Sequence, residues 1–385
     1  MNVTIEKLVF EGKGLARVNG KAVFIPFVLP EEEADIRITK EHRDYAEGCI
    51  ERITKPSPRR VQPCCPYFSQ CGGCNLQMAD SAYQKELRLT MVEELFTRAG
   101  IHAEKQHPLV AAHDWEYRSR FQFHRDAQGI TGMHRYGSNK VIAVKDCPIA
   151  VPALRTVLQK GDLNRLFPQQ APNTHKRTGS RYHVFAQETV HSTANPSVQV
   201  HVHHTVLECS VFGFFQSNIA MLEKLIEPVC FALPPCCRVL DFYAGVGTFS
   251  AFLAGKAEEI HLVEHNGQAL HTAKNNLERI RREQHRACRY YFHALSDTQW
   301  CTCGAAALSY DAAIVDPPRQ GLPAAFFTYL STHPIPRIHY VSCNPATFAR
   351  DAKQLAALGY RFAEWTFFDF YPQTHHGELL GVFLK

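Results

Sequence analysis

The sequence predicts an α/β protein in which β-rich segments precede a doubly wound sheet. Two observations carry that reading. From about residue 211, helical and strand-like periodicities alternate, the pattern of a parallel sheet with helices on both faces. Before it, short strand-like runs separated by turns dominate. Length and composition agree. At 385 residues the chain exceeds what one hydrophobic core serves, so more than one domain is expected. Hydrophobic residues at 45% and charged residues at 21% exclude a disordered or fibrous chain. The longest evident apolar run, Ala22 to Leu29, is far below the roughly eighteen residues of a membrane span. Met1-Asn2-Val3-Thr4-Ile5-Glu6 has neither the basic start nor the apolar core of a secretion signal. A cytoplasmic protein with no membrane association is the expectation.

Residues 1 to 54 read as a small β module. Val3 to Phe10, Lys21 to Phe27 and Asp35 to Thr39 are rich in β-branched and aromatic residues, and Asn19-Gly20 is a strong hairpin signal. A small barrel of the oligonucleotide-binding type fits the length, as does a generic β module without a ligand. Lys55-Pro56-Ser57-Pro58-Arg59-Arg60 reads as a solvated linker. A cysteine-rich stretch follows, and residues 55 to 107 end with a helix over Asp80 to Ala99. Leu87, Met91, Leu95 and Phe96 recur there at helical spacing, with Gly100 as the stop.

Residues 108 to 210 form a β-rich, basic middle segment. Along Trp115 to Arg125, Tyr117, Ser119, Phe121 and Phe123 alternate with Arg118, Arg120, Gln122 and His124. Basic and aromatic residues interleaved on a strand can grip single-stranded nucleic acid, and a half-buried surface strand has the same pattern. Although the whole chain carries only +5, residues 108 to 186 hold 12 Lys and Arg against 5 Asp and Glu. That excess fits a polyanion-facing surface and a merely solvated basic face equally. His201, His203 and His204 crowd one stretch without a ligand constellation, which reads as an alternating strand with exposed histidines.

Residues 211 to 385 carry the alternation. Helices are expected at Ser217–Leu233, Phe249–Gly255, Gly267–Arg282 and Ala346–Leu358. Strands are expected at Arg238–Asp241, Glu259–Glu264, Ala312–Asp316 and Arg337–Ser342. In Val239-Leu240-Asp241-Phe242-Tyr243-Ala244-Gly245-Val246-Gly247-Thr248-Phe249 an apolar strand ends in an acid, and a Gly-x-Gly turn opens a helix. Gly245 and Gly247 let the backbone approach a ligand, and the helix start favours an anion. Glu264, 23 residues after Asp241, closes the next strand, where a carboxylate can accept hydrogen bonds from ribose hydroxyls. The third glycine of a dinucleotide fingerprint is absent, so the turn suits an adenosine with an amino-acid tail, the shape of S-adenosylmethionine.

Two further segments narrow the chemistry. Asp316-Pro317-Pro318-Arg319-Gln320-Gly321 follows one strand at its carboxyl end, the ligand-binding edge of an open α/β sheet. Ser342-Cys343-Asn344-Pro345 follows the next. A lone cysteine is commonly a buried bystander; one just past a strand end in the same crevice fits a nucleophile. Fourteen cysteines without an export signal do not read as a disulfide framework. Eight of them (49, 209, 230, 236, 237, 288, 301 and 303) show no ligand pattern. By contrast, Cys65-x5-Cys71-x2-Cys74 with a distant Cys147 has ligand-like spacing.

These motifs together resemble the RNA uracil-5-methyltransferases. The resemblance rests on Asp241 to Ser250, Asp316 to Gly321, Ser342 to Pro345, Phe214-Phe215-Gln216-Ser217-Asn218 and the tail Asp369 to Glu378. It is collinear over nearly the whole chain. It implies a Rossmann-like S-adenosylmethionine-dependent methyltransferase domain (α/β), an N-terminal small β-barrel of the TRAM or OB-like kind, and a β-rich central domain. Both smaller domains would bind RNA. In the implied reaction Cys343 adds to uracil C6, the activated C5 takes the methyl group, and Glu378 removes the C5 proton. A target uridine must leave its stack, or lie in a single-stranded loop, to reach Cys343. The donor-contacting positions fall on Gln216, Tyr243, Glu264 and Asp316. An asparagine that contacts the adenine in some relatives is replaced by Ala294.

The cysteines resemble the 4Fe–4S ligands of ribosomal members, namely Cys65, Cys71, Cys74 and Cys147. A zinc site of four cysteines fits the spacing as well, and Cys64 competes with Cys65. The resemblance favours 23S ribosomal RNA as substrate, with transfer RNA as runner-up, and it implies no protein partner. A 5-methylcytidine enzyme and a catalytically idle RNA-binding factor rank lower.

Overall fold

The computed structural model describes residues 1–167, 180–285 and 287–385. Lys176 and Arg177, two of the basic residues counted above, lie outside them. The chain forms two compact units, each assembled from separate stretches. The first takes Met1–Glu93, His113–Ala194 and Tyr371–His376; the second takes Glu94–Ala112, Asn195–Phe370 and Gly377–Lys385.

The first unit opens with a six-stranded sheet. Its strands lie side by side in the order Asn2–Thr4, Glu33–Glu41, Tyr45–Lys55, Lys21–Pro26, Lys13–Val18 and Lys7–Val9. Asn19 and Gly20 both adopt positive φ (50° and 81°), the geometry that turns Lys13–Val18 back onto Lys21–Pro26. The continuous strand expected over Val3 to Phe10 is two short ones, because Ile5 instead donates its N–H to Glu32 O at 2.9 Å. Nor is the linker simply solvated. Arg60 reaches back to the fully buried Glu32, which also accepts the N–H groups of Leu29 (2.8 Å) and Ser57 (3.1 Å). A buried carboxylate needs such partners.

The helix runs over Ser81–Ala99, within one residue of expectation, and buries Leu87 and Met91 against Leu8, Leu29 and Met78. The middle segment supplies a five-stranded antiparallel sheet in the order Val141–Ile142, Thr131–His134, Arg120–Arg125, Ser180–Ala186 and Val190–Ser192. Phe121, Phe123, Tyr182 and Val184 point inward and pack with Leu154 and Leu158 of the helix Pro152–Gln159. The alternation read from Trp115 to Arg125 therefore sorts its residues correctly, although the regular strand begins only at Arg120.

The second unit is built on a mixed sheet. Its labelled strands are β1 (Cys236–Phe242), β2 (Ala257–Val263), β3 (Arg289–His293), β4 (Ala312–Val315), β5 (Arg337–Ser342), β6 (Arg361–Phe368) and β7 (Glu378–Leu384). They lie in the order β3-β2-β1-β4-β5-β7-β6, with Lys105–Gln106 pairing alongside β6. β3 to β5 across this order are parallel, as expected. β7 runs antiparallel to both β5 and β6, so the sheet is not wholly parallel. The helices are α1 (Ile219–Ile226), α2 (Thr248–Leu253), α3 (Gly267–Glu283), α4 (Ala324–Thr332) and α5 (Pro345–Ala357).

The single helix expected over Ser217–Leu233 is shorter and changes pitch. After α1, Glu227–Phe231 forms one wider turn in which Ala232 N–H bonds Glu227 O at 3.0 Å. Pro228 has no N–H to continue the regular ladder. His203 and His204 occupy the turn between the strands Ser197–Val202 and Thr205–Ser210, while His201 is on the first strand.

Candidate active site

Every candidate catalytic and donor-binding residue lies in the second unit. Parallel strands share one carboxyl edge, so the residues that follow them are neighbours whatever their distance in sequence. Tyr243 follows β1, Glu264 follows β2, Asp316 follows β4 and Cys343 follows β5. β7 runs the other way, which brings its first residue to the same edge. Ser342 pairs with Leu379, so Cys343 and Glu378 leave paired strands side by side; Glu378 also pairs with Phe368 at the end of β6.

The turn after β1 is strained and braced. Tyr243 has φ of 73°, and Gly245 and Gly247 follow at 55° and 80°. The Tyr243 hydroxyl donates to Asp297 Oδ2 at 2.8 Å. Glu264 accepts the N–H of Gly245 (3.1 Å) on one oxygen and that of Asn266 (2.7 Å) on the other. Its carboxylate thus shapes the glycine turn and keeps lone pairs to accept further hydrogen bonds. Asp241 is buried and accepts from the Ser250 hydroxyl (2.5 Å) and N–H (3.2 Å); burial lifts its carboxyl to about 6. Gln216 is buried in the segment leading into α1. Asn218 caps that helix by accepting Met221 N–H (3.2 Å), and its amide donates to Phe370 O at 2.9 Å. This anchors the Gln216 segment to the chain just past β6.

The nucleophile candidate is held by its backbone neighbours. Asn344 caps α5, and its amide donates to Arg319 O at 3.0 Å; the Thr347 hydroxyl donates to the same carbonyl at 3.2 Å. Arg319 is thereby fixed beside the cysteine turn, although no role was read for it from sequence. Two preceding prolines at a strand end were the available signal. Fully buried Asp351 accepts Leu322 N–H (2.8 Å) and the Tyr340 hydroxyl (2.7 Å), clamping the Asp316–Leu322 loop to β5 and α5.

Electrostatically the edge is crowded with acids. Burial pushes the Cys343 thiol up to about 12, and the carboxyls of Glu378 and Asp316 add to that; Arg319 opposes it. Burial lifts Asp316 to about 7, with Asp241 contributing. Glu378 is 2% exposed, its carboxyl is pushed well above the usual range by burial and then by Asp316, and its Oε2 has no hydrogen-bond partner among the described residues. A buried oxygen left without a partner is costly, and it is available to take a proton.

The chain can now be compared with known proteins. The family model for tRNA (uracil-5-)-methyltransferases matches residues 176–385, and the TRAM domain model matches residues 1–50. The chain belongs to the RNA uracil-5-methyltransferase family. Its reaction class is therefore S-adenosylmethionine-dependent methylation of uracil C5 in RNA. An uncharacterized RNA methyltransferase of Treponema denticola is 40% identical over 100% of this chain and 98% of its own length. The 23S rRNA (uracil(1939)-C(5))-methyltransferase of Methylococcus capsulatus is 30% identical, with 98% and 96% covered. The tRNA (uracil-54, C5)-methyltransferase of Pyrococcus abyssi shares the fold, with a TM-score of 0.73 at 21% identity over 100% and 99% of the two chains.

The methyltransferase also brings its four candidate metal ligands together, all within the first unit. Cys65, Cys71, Cys74 and Cys147 line one cavity with Tyr67, Arg118 and Met133. Burial pushes the thiols of Cys74 and Cys147 up to about 12 and raises those of Cys65 and Cys71. Among the described residues, no three His, Cys, Asp or Glu side chains gather closely enough for a single metal ion. Zinc would need its sulfurs about 2.3 Å from one point. Four cysteine side chains lining one cavity are a donor set of the kind a 4Fe–4S cluster uses. Arg118, on the cavity wall, favours thiolates at Cys71, Cys74 and Cys147.

Proposed function

We propose that this enzyme methylates C5 of a uridine in 23S ribosomal RNA, with Cys343 as nucleophile and Glu378 as the base. The observation that carries the assignment is the strand register that sets Cys343 beside Glu378, whose buried Oε2 is unpartnered among the described residues. Uracil C5 is a weak nucleophile toward a sulfonium methyl. Attack of the Cys343 thiolate on C6 moves an electron pair toward O4 and makes C5 carbanion-like. C5 takes the methyl group, Glu378 accepts the C5 proton, and the C6–S electrons return to sulfur as the thiolate leaves. Gln216, Tyr243, Gly245, Gly247, Glu264 and Asp316 would bind the donor. The donor is a cation, so its arrival beside Asp316 favours ionisation of both Asp316 and the Cys343 thiol. Donor binding would thus arm the nucleophile.

Cys65, Cys71, Cys74 and Cys147 would hold a 4Fe–4S cluster, and the cavity they line supports the fit. When bound, the cluster supplies iron–thiolate cross-links; methyl transfer needs no electron from it. Curated full-length relatives named for 23S rRNA support the ribosomal substrate. The family model's own description favours transfer RNA as a second reading. Anaerobically purified enzyme, methyl-labelled donor and unmodified ribosomal and transfer RNA decide between them. Label in 5-methyluridine from the large ribosomal RNA is expected. Label confined to transfer RNA would keep the chemistry and overturn the substrate.

A further inference from the structure

β7 reaches its place between β5 and β6 without a helical crossover, since residues 369–377, which join β6 to β7, contain no helix. A parallel strand would have needed a crossover packed on the sheet. On one face α5 covers this region, where Phe348 packs on Phe362 and Phe383. The other face carries the alternate side chains. Pairing sets His339 of β5, Val382 of β7 and Glu364 of β6 in one row, with Leu380 and Thr366 in the next. Together with Leu109, Val110 and the wide turn near Pro228, this face lines a cavity of about 450 Å³. Small-molecule sites span about 300–1,000 Å³.

One polar atom in that wall is unmatched. His339 is 1% exposed, and its Nδ1 lies 3.0 Å from the Val229 carbonyl oxygen in the wide turn. A carbonyl only accepts, so Nδ1 carries the hydrogen. Burial lowers the ring's pKa to about 4, which keeps it neutral and leaves Nε2 a bare acceptor. The two ring nitrogens point away from each other, which turns Nε2 away from Val229. It has no hydrogen-bond partner among the described residues, a costly state for a buried acceptor. Glu364, the one acid acting on this ring, is itself bonded to His107 at 2.8 Å. The charges lining the cavity cancel, Arg337 and Lys224 against Glu227 and Glu364. Leu109, Val110, Phe368, Leu380 and Val382 supply the apolar wall.

We propose that this cavity binds a small, uncharged aromatic molecule of the indole type, which donates its ring N–H to His339 Nε2. The chemistry of the wall selects that class. An aliphatic amine is charged at neutral pH, and these walls hold no net charge to match it. A hydroxyl brings acceptor lone pairs that an apolar wall leaves unmatched, whereas an indole N–H is a donor only. The flat ring packs on Leu380 and Val382 while its N–H satisfies the buried nitrogen. The methyl-transfer reading uses none of these residues, so the site stands apart from it.

The test titrates the full-length protein calorimetrically with indole and with N-methylindole, which lacks the N–H. Saturable binding of indole is expected, about tenfold tighter than that of N-methylindole, the scale of one buried hydrogen bond. Saturating S-adenosylhomocysteine should not displace it. His339→Phe keeps a ring in the wall and removes Nε2, so the preference for indole over its methyl derivative should vanish. Val382→Phe, on a different strand, fills the cavity and should abolish binding of both. Circular dichroism and a cooperative thermal transition report that each variant is folded. The wild-type comparison needs no variant, so a misfolded substitution leaves the test intact. The proposal is overturned if indole fails to bind the wild type or binds it no better than N-methylindole does. It is equally overturned if S-adenosylhomocysteine displaces indole, or if folded His339→Phe keeps the preference.

Discussion

Burial acts alike on Cys343 and Glu378, raising both groups above their ordinary ionisation ranges. The thiol, held up at about 12, is almost wholly protonated at neutral pH in the free enzyme. Alkylation of Cys343, followed by mass spectrometry of its peptide, should therefore rise about tenfold per pH unit from 7 to 9 with no plateau. A plateau below pH 9 would show an already activated thiolate. Cys343→Ala should bind donor normally and lose methyl transfer altogether. Glu378→Gln should stop after methyl transfer, leaving a covalent RNA–protein adduct visible on a denaturing gel. The same variant should gain stability. Glu378 has a folded pKa raised above its ordinary 4.5, so its contribution is intact below that pH and is lost as pH rises through the folded value. Melting temperatures of wild type and Glu378→Gln should thus coincide near pH 4 and diverge toward neutrality, with the variant higher. Both residues were legible in the sequence through their flanking motifs. Their electrostatic state was not, because burial and the fields of Asp316 and Arg319 come from distant segments.

At the scale of elements, the strand–turn–helix units are local and the sequence reads them well. β5 begins and ends where periodicity placed it, α3 differs from expectation by one residue at one end and α5 by one residue at each end. What periodicity missed are α4 and the closing pair β6 and β7: α4 and β7 are apolar over most of their length, and β6 mixes Arg361 and Glu364 with aromatic residues without regular alternation. The brace on Tyr243 was equally invisible. Its positive φ costs about 1 kcal/mol or more, and the hydrogen bond to Asp297 holds the ring against that strain. Asp297→Ala should raise KM for the donor about tenfold, the scale of one charge-assisted hydrogen bond, with kcat little changed; Asp297→Asn should recover part of the loss. Gly377, directly before Glu378, shows how tightly the edge is packed. A Cβ there would lie 2.2 Å from the Phe367 ring, so Gly377→Ala should cost about 1–3 kcal/mol in a denaturant titration and displace Glu378.

Across the whole molecule, the two units interleave along the chain. The first takes back Tyr371–His376 from the C-terminal region, where the Tyr117 hydroxyl bonds Pro372 O (2.8 Å) and the Gln84 amide bonds Gln373 Oε1 (2.9 Å). The cysteine cavity also joins distant stretches, from Cys65–Cys74 to Cys147. Cys147→Ser should abolish the iron and acid-labile sulfide of anaerobically prepared enzyme and lower its melting temperature. Donor binding, which belongs to the second unit, should survive. One zinc per chain and no iron would replace the cluster by a zinc site.

By itself the sequence determined the α/β class, the Gly-x-Gly turn, the positions of the nucleophile and base candidates and the four candidate cysteine ligands. Each depends on short-range stereochemistry or on a motif a few residues long. Tertiary structure alone decided that β7 runs antiparallel and so delivers Glu378 to Cys343. It also decided that Arg319 and Asp316 set the charge there, and that His339, Leu380 and Glu364 from three strands line one cavity. Those outcomes depend on which distant strands pair and in what register, a choice made by burial of the whole core and not by any local run of residues.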